Sequence, residues 1–273
     1  MDFDKFSFQT VKKINKALDL LLKEWKKEWT RTDRKLIPLV DQFIKSCAGG
    51  KMLRGVLVVM GHEIARSKVK DIYKVAAAYE IFHTAILVHD DIIDKSPIRR
   101  NLPSLYMALG ANHYGVSQAI SLADAGFFLA VRTISESDFS EEAKIQALKW
   151  FCQTMLDTAA GQLLDVGGGD AITVAKLKTA RYTIAGPLIL GVKLAGEDQK
   201  TIASLADFGE NLGIAFQIKD DILDGEAEKY KQSLQQLRCC KTQAMKIIPE
   251  ITKGPGMSKL LQQMAEYLVE RKK

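Results

Sequence analysis

The sequence predicts a single all-α domain, on three grounds. Apolar residues recur at three- and four-residue intervals along most of the chain, while strict two-residue alternation is rare. Only six prolines interrupt 273 residues, and the clearest glycine and proline clusters fall between periodic segments. No stretch is rich in Ser or Pro, of low complexity or of one charge sign, so nothing reads as an internal linker.

The periodicity places helices over roughly residues 7–30, 35–48, 52–66, 71–95, 103–112, 115–136, 140–166, 172–195, 198–224, 226–251 and 256–271. In the first, KEWKKEWTRTDR from Lys23 to Arg34 alternates acids and bases, as a solvated helix face does. Gly49-Gly50, Ser96-Pro97, Gly167-Gly168-Gly169 and Gly254-Pro255-Gly256 read as turns. Ser140-Glu141-Glu142 reads as a helix start. Pro187 removes the helical hydrogen bond to Thr183 and predicts a kink there.

A net charge of +6 spread along the chain suits anionic substrates, and no motif or basic stripe points to nucleic acid. The first residues, MDFDKFSFQTVKKI, carry early acids and do not resemble a secretory signal. The apolar runs VLVVMG and IAGPLILGV fall well short of the ~18 residues of a membrane span, so no transmembrane segment is expected. Cys47, Cys152, Cys239 and Cys240 have no metal-ligand spacing and suit a reducing cytoplasm.

HTAILVHDDIID (83–94) places Asp90, Asp91 and Asp94 in an otherwise apolar helix. At about 100° per residue, Glu80, His83, Thr84, Asp90, Asp91 and Asp94 share an arc of about 120°. His89 points away and is expected to be packed and hydrogen-bonded. FQIKDDILD (216–224) repeats the pattern, with Gln217, Asp220, Asp221 and Asp224 on one stripe. Like charges four residues apart destabilise a helix, and buried carboxylates without partners cost several kcal/mol each. One such motif alone could be an idle acid cluster. Two of identical form, each on a buried helix, call for hard divalent cations; Mg²⁺ binds through one or two carboxylates plus substrate phosphates.

With these motifs the chain resembles the all-trans polyprenyl diphosphate synthases over about residues 40–225. GGKMLRG (49–55), DDIID with Arg99-Arg100, GQLLD (161–165), KTARYT (178–183) and FQIKDDILD follow in that family's order. The resemblance implies one synthase domain over residues 1–273, an antiparallel helix bundle of the isoprenoid synthase type around a central cavity, as a homodimer. It implies a Mg²⁺-dependent prenyltransferase that joins isopentenyl diphosphate to an allylic diphosphate, with three Mg²⁺ per active site. By the same resemblance, Asp90, Asp91, Asp94, Asp220, Asp221 and Asp224 are metal ligands or their supports. Arg99, Lys178 and Lys231 bind the allylic diphosphate. Lys51, Arg54, His83 and Arg100 bind isopentenyl diphosphate. Thr179 and Gln217, with Lys178, serve catalysis, and Gln162 and Asp165 line the cavity. In the family a bulky aromatic five residues before the first Asp limits product length. Here that position is Ala85, and Phe82 lies about one turn deeper with Ile86 above it, which implies a product of geranylgeranyl length or longer.

After Asp224 the pattern departs from the family's: the segment is shortened, and Lys231 only loosely matches the family's Gly-Lys. Asn101 replaces the usual Gly, Tyr106 a common His, and Ala123-Asp124 a usual Gly-Asp. One alternative is therefore a non-catalytic or regulatory subunit of a heteromeric synthase. A class I terpene cyclase is a weaker alternative, since it needs no isopentenyl site.

Overall fold

The computed structural model describes residues 2–196, 198–223, 225 and 233–270. In order they form α1 (Phe3–Thr32), a short 3₁₀ turn, α2 (Ile37–Ser46), α3 (Leu53–Ile64), α4 (Ile72–Ile93), β1 (Ile98–Arg99), β2 (Leu102–Pro103), α5 (Leu105–Ala108), α6 (His113–Ser135), α7 (Glu141–Val166), α8 (Ala171–Val174), a π-helix (Ala175–Ala185), α9 (Gly186–Ala195), α10 (Gln199–Leu223), α11 (Ser233–Ile251) and α12 (Pro255–Glu270). The protein is all-α, as the periodicity predicts. Its residues group into two compact units, one of Val11–Gly55 and Lys70–Asp138, the other of Met1–Thr10, Val56–Val69 and Phe139–Lys273.

In the first unit α4 packs on α6. A small residue at the contact helps this approach: a Cβ on Gly126 of α6 would lie 3.2 Å from Ala85 Cβ of α4. The opposite face of α6 exposes Tyr114, Ile120 and, at 74%, Phe128. By length and composition alone α6 could cross a membrane, a test that core helices also pass, and α6 is partly buried. Polar Ser, Gln and Asp break its 23 residues into short apolar runs.

The second unit is built on α7, the π-helix, α9 and α10, with α11 and α12 against α10. Ser140 caps α7 as expected, accepting from the Ala143 N–H at 3.3 Å. The predicted helix 172–195 is not regular. Residues 175–185 are wound as a π-helix, closed by the Gly186 N–H donating to the Arg181 carbonyl five residues back. Pro187 sits in the first turn of α9, where a missing N–H costs nothing. The irregularity expected at Pro187 therefore lies in the turns before it. The π-helix backbone presses closely on its neighbours. A Cβ at Gly213 of α10 would lie 2.3 Å from Ala180 Cα, and one at Gly161 of α7 would lie 2.5 Å from the Lys178 nitrogen. Only glycine permits either contact.

The antiparallel β1–β2 hairpin (Ile98↔Pro103, Arg99↔Leu102) was not expected. The stretch 103–112, read as one helix, holds only the single turn of α5 before a break at Gly110-Ala111, both at positive φ.

Candidate active site

On α4 two groups of charged residues lie about two turns apart. The amino-terminal group brings together three of the four residues assigned to the isopentenyl site, Arg54, His83 and Arg100. Arg54 donates from Nη1 to His83 Nε2 at 3.1 Å. Arg100 lies against the Gly49-Gly50 turn, where a Cβ on Gly50 would fall 2.9 Å from its Nη2. Its Nη1 donates to the carbonyls of Ser46 (3.3 Å) and Ala48 (2.9 Å), at the carboxyl end of α2 where the helix dipole favours a cation. Lys51 is exposed on the loop between α2 and α3. Burial, and then the charges of Arg54, Arg100 and Arg99, hold the His83 pKa well below its ordinary value. The imidazole is therefore neutral and accepts from Arg54. Sequence reasoning used Glu80 only as a point of reference. It is buried in this group, where its Oε1 accepts from the Gly55 N–H at 2.7 Å. Burial raises its pKa, opposed by that amide and by Arg54 and Arg100.

The carboxyl end of α4 carries the first Asp motif. Asp91 is buried, and its Oδ1 accepts from Arg99 Nε (2.8 Å) and Nη2 (2.5 Å). Asp90 Oδ2 lies 3.4 Å from Arg99 Nη2. Burial acts to lower the Arg99 pKa, but the hydrogen bond and charge of Asp91 outweigh it and the pKa rises. Asp94 is exposed one turn after half-exposed Asp90. A cavity of about 240 Å³ beside this group is lined by Thr84, Leu87, Val88, Asp91, Arg99 and Arg100, among others. His89 stands edge-on to Phe127 at 5.2 Å as packing predicts. Its Nε2 lacks the expected hydrogen bond, lying 3.5 Å from Asp124 Oδ1.

Of the chain-length residues, Phe82 is buried with its ring 4.5 Å from Phe127 of α6. Ala85 is fully buried where α4 meets α6, and a Cβ on Gly126 would lie 3.2 Å from its own. Ile86 is half-buried.

In the second unit the π-helix brings Lys178 and Thr179 to a cavity of about 510 Å³ that also includes Asp165, Gln217 and Asp221. A directed chain crosses it. Thr179 Oγ1 donates to Gln217 Oε1 at 2.6 Å, and Gln217 Nε2 donates to Asp221 Oδ1 at 2.9 Å. Lys178 Nζ pairs with Asp165 Oδ2 at 2.7 Å. Asp221 is buried and Asp220 half-exposed beside it. Gln162, half-buried, is on α7 one turn before Asp165 but does not line this cavity. Asp224 and Lys231 lie outside the described residues.

Among the described residues, no three His, Cys, Asp or Glu side chains converge as a metal site. Each motif instead offers carboxylate pairs: Asp90 with Asp94, and Asp220 with Asp221. All are hard oxygen donors. That set fits Mg²⁺, which takes one or two carboxylates and fills its remaining positions with water and phosphate.

A family model described as polyprenyl synthetase matches residues 37–237. The chain belongs to the polyprenyl synthetase family. The geranylgeranyl diphosphate synthase of Sulfolobus acidocaldarius is 32% identical over 192 residues, 67% of this chain and 56% of that protein. The short chain isoprenyl diphosphate synthase of Methanothermobacter thermautotrophicus is 33% identical over 184 residues, 65% of this chain and 55% of that protein. The geranylfarnesyl diphosphate synthase of Methanosarcina mazei is 30% identical over 184 residues, 65% of this chain and 58% of that protein. The chain thus spans 55–58% of the length of these relatives. The fold matches a Corynebacterium glutamicum geranylgeranyl pyrophosphate synthase, solved with isoprenyl diphosphate and magnesium, at a TM-score of 0.86 over 100% of both chains and 22% identity. A second family fold, a Zymomonas mobilis FPP/GFPP synthase, aligns at a TM-score of 0.75 and 20% identity over 95% of this chain and 99% of that one.

Proposed function

We propose that the protein is an all-trans prenyltransferase that condenses isopentenyl diphosphate with an allylic diphosphate and releases pyrophosphate. One observation carries the reading. A basic anion site gathered around His83 and a carboxylate-bearing metal-type site at Asp90–Asp94 lie about two turns apart along one helix, α4. A reaction between two diphosphates, only one of which must ionise, needs both. Lys51, Arg54 and Arg100 hold the diphosphate that stays intact, because hydrogen-bonded cations bind phosphate without a metal. His83, kept neutral, directs Arg54. Asp90, Asp94, Asp220 and Asp221, with Asp91 and Asp224 in support, would hold up to three Mg²⁺ ions, which when bound neutralise the charge on the departing pyrophosphate. Arg99 orients the first motif through Asp91. Lys178 and Lys231 would add positive charge at the leaving group.

In the reaction the allylic C–O bond breaks and its electron pair leaves with pyrophosphate. The double bond of isopentenyl diphosphate attacks the allylic cation, and a proton is then lost. Thr179 and Gln217 would face that cation. Residues 1–273 are read as one synthase domain, and Asp165 lines the cavity shared by Lys178, Thr179 and Gln217. The exposed apolar face of α6 suits a second copy of the chain. The four cysteines are free thiols, in keeping with a cytoplasmic protein.

Ala85, with no bulk at the position where an aromatic limits product length early, supports a product of geranylgeranyl length or longer, with Phe82 and Ile86 setting its limit. The test is mass spectrometry of products from purified protein given Mg²⁺, isopentenyl diphosphate and farnesyl diphosphate, with an EDTA control. An EDTA-sensitive series of elongated diphosphates supports the reading. Binding of both substrates without elongation from any allylic primer would overturn it in favour of a partner-dependent subunit.

A further inference from the structure

We propose that Glu80 is a positioning residue for the isopentenyl diphosphate site, capping the amino terminus of α3 from the neighbouring helix α4. The inference rests on the proposed roles of Lys51, Arg54 and Arg100. Helix α3 begins at Leu53. The residue before it, Met52, has no side-chain acceptor and sits at φ 52°. The first amides of a helix have no partner within it, and a buried start needs an acceptor from elsewhere. Glu80 supplies one. Its Oε1 takes the Gly55 N–H at 2.7 Å, and the Arg54 backbone N–H is bonded to it as well. A carboxylate at that end also complements the helix dipole.

At the other end, Arg100 Nη1 donates to the carbonyls of Ser46 and Ala48, on either side of Cys47, which ends α2. Glu80 and Arg100 therefore hold the two ends of the segment 47–55, which carries Lys51 and Arg54. Gly49 and Met52 hold positive φ angles within it, and such a backbone keeps one shape only when its surroundings impose it. Glu80 has a second effect. Its charge lies beside Arg54 and Arg100, like-charged groups that repel each other when no anion is bound. The site is thereby assembled before substrate arrives, which is the condition for tight anion binding.

The experiment compares Glu80→Ala and Glu80→Gln with the wild type, by steady-state kinetics for each substrate and by calorimetric binding of isopentenyl diphosphate alone. Glu80→Ala is expected to raise KM and Kd for isopentenyl diphosphate roughly tenfold, with KM for the allylic diphosphate and kcat within about twofold. Glu80→Gln, which keeps a carbonyl acceptor for the amides, is expected to recover most of the loss. Equal effects on both substrates, or a lower melting temperature with unchanged binding, would overturn the proposal. If Glu80→Ala does not fold, Glu80→Asp takes its place, one carbon too short to reach the amides, with the same selective loss expected. A wild-type protein that binds isopentenyl diphosphate but does not elongate would sink the catalytic reading and leave the Glu80 proposal testable by calorimetry.

Discussion

Replacing Gly213 by Ala tests whether the π-helix is held in place by close backbone approach. The new Cβ would lie 2.3 Å from Ala180 Cα and 2.5 Å from Ala180 Cβ. Carbon atoms in contact normally sit ~3.5–4.0 Å apart, so α10 and the π-helix must separate by more than about 1 Å. Alanine's higher helix propensity favours the variant by ~1 kcal/mol. Overpacking of this kind costs typically ~1–3 kcal/mol, and here the nearest atom is backbone and cannot rotate away. The net effect is destabilisation, seen as a fall of about 3–8 °C in Tm. The same separation would stretch the 2.6 Å Thr179–Gln217 hydrogen bond. A misplacement of ~1 Å near the chemistry can lower turnover by about 10²-fold. Differential scanning calorimetry and the elongation assay read the two effects. Adding Ala180→Gly removes the 2.5 Å contact and leaves the 2.3 Å one, so the double variant should stay destabilised. A Gly213→Ala protein with wild-type Tm and kcat would refute this reasoning.

Arg99→Met leaves the buried Asp91 carboxylate without its main partner. Because the Arg99 side chain is 37% exposed and water can reach the gap, a loss of about 1–3 kcal/mol in urea unfolding is expected, and an unchanged midpoint would mean that Asp91 is held by other contacts. His62 is buried with neither ring nitrogen hydrogen-bonded, and burial lowers its pKa below the ordinary value. The unfolded chain then takes up the proton first, so this histidine adds stability above its unfolded pKa and loses it as pH falls through the window between the two values. His62→Leu should show a shallower loss of stability than wild type from pH 7 to pH 5; parallel curves would exclude the effect. Phe82→Ala removes the ring packed on Phe127, which should lower stability by ~3–5 kcal/mol and lengthen the products. Wild-type product lengths would show that Phe82 is not the floor.

The polar stripe on α4 was legible because it interrupts an otherwise apolar helix at fixed spacing. Helical angles alone put Glu80, His83 and Asp91 on one arc. Their partners were not legible. Arg99 reaches Asp91 only because a six-residue hairpin, 98–103, turns the chain back. That hairpin depends on Lys95, Arg100 and Asn101 at positive φ, positions that residue type does not announce. The π-helix was missed for another reason: eleven residues are too few to tell a wider winding from the ordinary period. A signal did exist in Gly161, Gly209 and Gly213, three glycines inside strong helices, each of which marks a place where another backbone must come close. The role of Glu80 could not be read from the sequence because it answers a lack elsewhere, namely a helix that starts after a methionine.

The chain from Thr179 to Asp221 has a polarity. A carboxylate oxygen only accepts, so the Gln217 amide must turn its NH₂ group toward Asp221 and its oxygen toward Thr179. The Thr179 proton is thereby committed to Gln217. What the threonine shows to the rest of the cavity is its lone pairs. That wall offers electron density and no proton, so it can stabilise a passing positive charge without quenching it by proton donation. An asparagine or serine would have the same polarity only if its own proton or amide were pinned by an equivalent partner.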